Sequence, residues 1–189
     1  AFADSGDELA GRIIYNHSTN AMSFGTSGVG TQWSINSDGN LLPGEATSQG
    51  IHLGVTSATA SNLLDDYEEG TWTIPNGAVN GITYAVSSVA GNTYTKIGRQ
   101  VTINANMTFG SNTSDGNPTY LGTLPFTPLS GGSFVGKVRT SANITGCCVE
   151  INGGESFIRL MKDSGGTYDY VTRAESASQT FAFTISYLV

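Results

Sequence analysis

The chain has 189 residues, only 12 % of them charged, with 25 Gly against 5 Pro. A net charge of −7, a pI near 4.6 and eight basic residues scattered from Arg12 to Arg173 exclude a surface that tracks nucleic-acid phosphates. Helix formers are scarce and no apolar run approaches the roughly 20 residues of a spanning helix, so the composition argues against a helical bundle and points to an all-β protein for which no membrane insertion is expected.

The opening AFADSGDELAG reads as the interior of a longer chain. After it, GRIIYNHSTNAMSF is strand, turn, strand, with the bend at residues 16–20. TQWSINSDGNLL repeats the plan, and its Asp38-Gly39 predicts a hairpin turn with positive φ tolerated at both positions. Isolated two-stranded hairpins are marginal in water. Ile13, Ile14, Tyr15, Met22, Phe24, Trp33, Ile35, Leu41 and Leu42 are too few to close a core within one chain. Two ways to cover them stay open: several copies packed around a common axis, or docking onto the C-terminal part. Residues 1–62 are therefore read as a β-rich stem and 63–189 as a globular head.

From about Thr71 the alternation is regular. Val101, Ile103, Ala105, Met107 and Phe109 share one face, as do Phe181, Phe183, Ile185, Tyr187 and Val189. Further strands are predicted in ITYAV, NTYTKIG, SFVGKVRT, CCVEIN, SFIRLMK and TYDYVTR, separated by turn clusters. The pattern predicts an antiparallel β-sandwich of jelly-roll type. Cys147 and Cys148 are neighbours, so one is expected in the core and the other at the surface.

The densest charge lies in LLDDYEEGTWT, residues 63–73, within an acidic junction spanning 63–75. In an extended segment Asp66 and Glu68 lie on one side, about 6–7 Å apart, close to the spacing of glycosidase carboxylate pairs. Such pairs usually come from different elements, with one pKa raised; these acids are adjacent and solvated, so the chain is expected not to be an enzyme. Calcium takes about six to eight oxygens, and DDYEEG lacks the D-x-D-x-D-G spacing of a calcium loop. No cofactor is expected apart from a divalent cation such as calcium, shared by Asp66 and Glu69 of several copies. The favoured reading is a structural seam. Leu63 and Leu64 plug the foot of the globular part; Asp65, Asp66, Glu68 and Glu69 face water or strand-edge amides; Trp72 enters the core.

No histidine triad, nucleophile elbow or phosphate-binding loop is present. What remains is chemistry suited to sugars. The loops GSNTSDGNPTY and KDSGGTYDY combine hydrogen-bonding Asn117 and Asp169 with Tyr120, Tyr168 and Tyr170, whose rings can stack on a pyranose.

The succession GRIIYNHSTNAMSF, SINSDGNLL, LLDDYEEGTWT, NTYTKIGRQVTI and LGTLPFTP resembles bacteriophage tail-fibre and related virion proteins, particularly those of phages of cyanobacteria and other aquatic bacteria. DDYEEGTWT followed by YTKIGR is its most specific element. One departure is Ile74, which stands before Pro75 where the family usually continues GTWTP. The resemblance implies a homotrimer with an intertwined β-hairpin stem, joined to other tail proteins on its N-terminal side. It further implies a head that attaches the virion, outside the cell, to a host-surface glycan or lipopolysaccharide. The alternatives are a capsid knob or tail decoration that binds no receptor, a polysaccharide depolymerase, and a monomeric secreted lectin.

Overall fold

The computed structural model describes residues 6, 10–26, 30–44, 50–58, 62–64, 66–74, 77–79, 82–84, 86–89, 91–110 and 116–189. Asp65, Pro75 and residues 111–115 of the GSNTSDGNPTY loop lie outside the described residues. The chain is nearly all β and divides into two compact units, with the boundary between Asp65 and Asp66.

In the first unit, β1 (Gly11–Asn16), β2 (Ala21–Thr26), β3 (Trp33–Ile35) and β4 (Leu41–Pro43) form an antiparallel meander in chain order. Asn20, at φ 50°, makes the first turn, where Asn tolerates the left-handed region better than most residues. The second turn is the hairpin expected at Asp38-Gly39, joining β3 to β4. Only Gly39 has positive φ (84°); Asp38 does not. The Asn36 side chain organises this turn, accepting hydrogen bonds from the amides of Asp38 (3.1 Å) and Asn40 (2.9 Å). A separate pair joins β5 (Ile51–His52) to β6 (Leu63–Leu64).

The register gives the four-stranded sheet one apolar face. Ile13, Phe24, Trp33 and Pro43 are successive cross-strand partners, and Tyr15, Met22, Ile35 and Leu41 make the next row. The opposite face carries Ile14, Ser23, Ser34 and Leu42. No hydrophobic residue described in this unit is buried. Ile13 and Tyr15 are each 50 % exposed and Leu41 57 %. Among the described residues nothing in this unit buries the apolar side of the sheet.

The second unit contains β7 (Tyr67–Thr71), β8 (Gly77–Val79), β9 (Ile82–Tyr84), β10 (Val86–Val89), β11 (Thr93–Ile97) and β12 (Gln100–Phe109). It continues through β13 (Tyr120–Gly122), β14 (Ser133–Thr140), β15 (Cys148–Asn152), β16 (Phe157–Asp163), β17 (Tyr168–Tyr170), the one-turn helix α1 (Arg173–Ser176) and β18 (Thr180–Leu188). The strand order is β13-β16-β15-β14-β18-β12-β11-β7, with β10 also on β12 and β17 also on β16; β8 and β9 pair separately. All these pairings are antiparallel. β14 serves both halves: residues 133–137 pair with β15 and residues 138–140 with β18. The sheet thus curls into a half-barrel whose two halves bury side chains against each other, a sandwich-like core made by one continuous path of strands.

That core follows the period-2 pattern. Val101, Ile103, Ala105, Met107 and Phe109 of β12 are buried, as are Phe181, Phe183, Ile185 and Tyr187 of β18. They meet Leu121, Val149, Ile151, Ile158 and Leu160 from the other half. Ile74 is also in this core, at 3 % exposure. Tyr187 reaches across to the loop after β13, donating its hydroxyl to the Phe126 carbonyl (3.1 Å), and burial pushes its phenol up to about 12. Cys147 is buried and Cys148 half-buried, and both are free thiols. Burial, then the neighbouring Cys148, pushes the Cys147 thiol up to about 11.

The helix corrects the strand expectation for TYDYVTR. Only Tyr168–Tyr170 is strand; Thr172 then caps α1 and forms a reciprocal capping box with Glu175. Lys162 pairs with the same carboxylate at 2.6 Å.

Candidate functional site

The acidic stretch forms β7, the last strand along the sheet path, paired only with β11 among the described strands. Tyr67 stands opposite Ile97, Glu68 opposite Lys96, Glu69 opposite Thr95 and Gly70 opposite Tyr94. Strand alternation then separates the acids. Glu68 is on the side of Tyr94 and Lys96, and accepts a hydrogen bond from the Tyr94 hydroxyl. Asp66 forms an ion pair with Lys96, whose side chain is only 11 % exposed and whose ammonium lies 5.7 Å from the Phe126 ring centre. Glu69 lies on the other side and accepts from Tyr67. Those hydrogen bonds raise the ionisation of both phenols above the usual tyrosine range.

A β-carbon at Gly70 would stand 2.7 Å from the Tyr94 ring, so a larger residue there has to displace that ring. Trp72 is buried and donates its indole N–H to the Asn104 carbonyl at 3.1 Å. Leu63 and Leu64 pair with Ile51–His52 in the first unit, and Leu64 is 36 % exposed. Asp66 and Glu69, singled out for a cation, fall on opposite faces of β7. Among the described residues no three His, Cys, Asp or Glu side chains converge on one point.

The tyrosines singled out for sugar contact are partly gathered. Tyr120 and Tyr170 meet edge to face with ring centres 5.9 Å apart, and Tyr120 also packs on Phe157 at 5.1 Å. β16 brings them together by pairing with β13 at one end and β17 at the other. Tyr168, on the same side as Tyr170, is 70 % exposed. Asp169 points the opposite way, its carboxylate accepting from the Tyr170 amide. The Asn117 carbonyl accepts from the Arg173 amide at 2.9 Å. The cluster is mutually packed, leaving Tyr168 as its freely exposed ring.

A second surface lies on the face of the sheet away from the core. There β12 and β18 carry hydroxyl and amide side chains in register. Thr102 meets Ser186 at 2.7 Å, Thr108 meets Thr180 at 2.9 Å, and Thr184 donates to Asn104 at 2.6 Å. Next to them β14 projects Lys137 and Arg139. A shallow groove of about 600 Å³ is lined by Asn104, Asn106, Lys137, Arg139, Ala182 and Thr184. Sequence reading did not single out these residues. Their periodicity marks them as outward, but their meeting depends on the order β14-β18-β12, which joins segments far apart in the chain.

No helix among the described residues is long and apolar enough to cross a membrane. With the fold and these surfaces defined, comparison with protein-family models, curated proteins and solved structures finds no match.

Proposed function

We propose that the chain is a subunit of a homotrimeric virion tail fibre whose second unit attaches the particle to a glycan or lipopolysaccharide on the bacterial surface, and that it is not an enzyme. One observation carries this reading. The first unit presents two complete cross-strand rows of apolar side chains, none of them buried among the described residues, whereas the second unit closes its own core. A sheet of that kind is stable in water when other copies of the same sheet cover it. A stem built by association and a head built by burial is the division of labour expected of a fibre. The number three and the phage setting, in the tail and outside the host cell, come from the sequence resemblance. The acidic strand fits a structural role, since Asp66, Glu68 and Glu69 are each engaged by a cation or a phenol.

The test is adsorption of labelled full-length protein to a panel of bacterial strains, with release of reducing ends measured in parallel. Saturable adsorption without reducing-end release is expected. An assembled particle that adsorbs to no strain shifts the reading to a non-receptor virion component. Release of reducing ends that is lost in Asp66→Asn or Glu68→Gln overturns the non-enzymatic reading.

A further inference from the structure

We propose that the groove on the outer sheet face is the glycan site and that its ligand is an acidic sugar, carrying a carboxylate or a phosphate. The inference rests on the reading of the second unit as the attachment head, and it places the contact on the sheet, away from the tyrosine loops.

The chain has only eight basic residues against fifteen acids. Lys96 and Lys162 are paired with carboxylates, Arg159 with Glu155, and Arg99 with the Val189 carbonyl. Lys137 and Arg139 are both exposed, and their side chains make no hydrogen bond or ion pair with any described residue. They stand two residues apart on the same face of one strand, roughly 7 Å from each other. In an acidic protein, two adjacent uncommitted cations beside a groove are a local exception that suits one or two negative charges. A polyanion such as nucleic acid needs a longer basic track.

The side chains beside these cations are neutral and polar around a small apolar floor. Arg139 is the cross-strand partner of Ala182, and Ala182 of Asn106, so one row runs cation, methyl, amide. The small Ala182 leaves the floor open. The Asn106 side-chain amide has no protein partner among the described residues. In the next row Asn104 is held by Thr184 at 2.6 Å and by Thr93 at 3.4 Å, which fixes its orientation. Neutral amides and hydroxyls at fixed spacing match the hydroxyls of a sugar ring, the open apolar floor matches its C–H face, and the two cations match an acidic substituent. The groove volume of about 600 Å³ lies within the roughly 300–1,000 Å³ of small-molecule sites.

The test passes the full chain over immobilised polygalacturonate (carboxylate), phosphomannan (phosphate) and dextran (uncharged), and measures adsorption to the bacterial panel alongside. Retention on one or both acidic polymers, exceeding that on dextran and weakened by added salt, is expected. Which acidic polymer is retained tells carboxylate from phosphate. The double variant Lys137→Gln/Arg139→Gln should lose about tenfold or more in affinity at an unchanged melting temperature. Ala182→Tyr should lose retention by filling the floor without altering charge. Tyr168→Ala should retain it. Retention that survives both groove variants, or that is equal on dextran, overturns the groove. Adsorption to cells without retention on either acidic polymer overturns the acidic-sugar assignment and leaves the attachment reading standing. Adsorption to no cells removes the attachment reading itself.

Discussion

The two units contain β-strands of similar character but reach stability by different routes. In the second, twenty of the described hydrophobic residues are buried in a curled sheet whose halves face each other. In the first, strands of three to six residues carry comparable apolar side chains, and none of those described is buried. Strand formation is therefore a local property that both units share, and core formation is a topological one, achieved among the described residues by the second. A single sheet has one face too many to hide. Among the described residues the first unit leaves its apolar rows unburied, and the second closes its own core.

Substitutions on the apolar face of the first unit test this contrast most severely. Ile13→Asp with Leu41→Asp is a surface change in an isolated chain, worth about 0.5 kcal/mol or less. In an assembled stem it buries two unpaired charges. Loss of the oligomer in light scattering, with the thermal transition of the second unit retained, is the expected outcome. The mirror experiment is Phe181→Ala. This side chain is fully buried, with its ring 5.5 Å from that of Phe109. Its removal should cost about 3–5 kcal/mol in denaturant unfolding of the second unit.

A smaller effect is expected at the break between β10 and β11, both of which pair with β12. There the buried Asn92 side chain accepts the Asn106 amide at 3.0 Å, standing in for the missing strand backbone. Asn92→Ala leaves that amide orphaned and should cost about 1–3 kcal/mol.

The smallest effect is at the cap of α1. Burial alone raises the Glu175 carboxyl, but hydrogen bonds from Lys162 and Thr172 outweigh it and hold the group below the usual carboxylate range. Its contribution is present above the unfolded-state value and is lost as pH falls through the lower folded value. Glu175→Gln should lower the melting temperature at neutral pH, and the gap between variant and parent should close on acidification below that range.

What could be read from the sequence sorts along the same line. The alternation in QVTINANMTF and TFAFTISYLV names the buried faces of β12 and β18 because five or so apolar residues at period 2 leave no competing register. The bend at residues 16–20 was equally legible. The second hairpin was legible in Asp38-Gly39, but the Asn36 side chain that organises its turn was not. The helix was missed because Thr-x-x-Glu at 172–175 followed a β-like run, although the capping box is itself a sequence signal. Tyr120 and Tyr170 were visible individually, while their contact needed the β13-β16-β17 pairing. The groove was the least legible feature. Lys137 and Arg139 look like ordinary outward residues until β18 places them beside Asn104 and Asn106.

The central claim is that the first unit is completed by other copies of the chain, and native mass by light scattering at micromolar concentration tests it most directly. The account predicts a particle of about three times the 19.7 kDa chain. A compact particle of one chain mass, with the apolar rows intact, would contradict it.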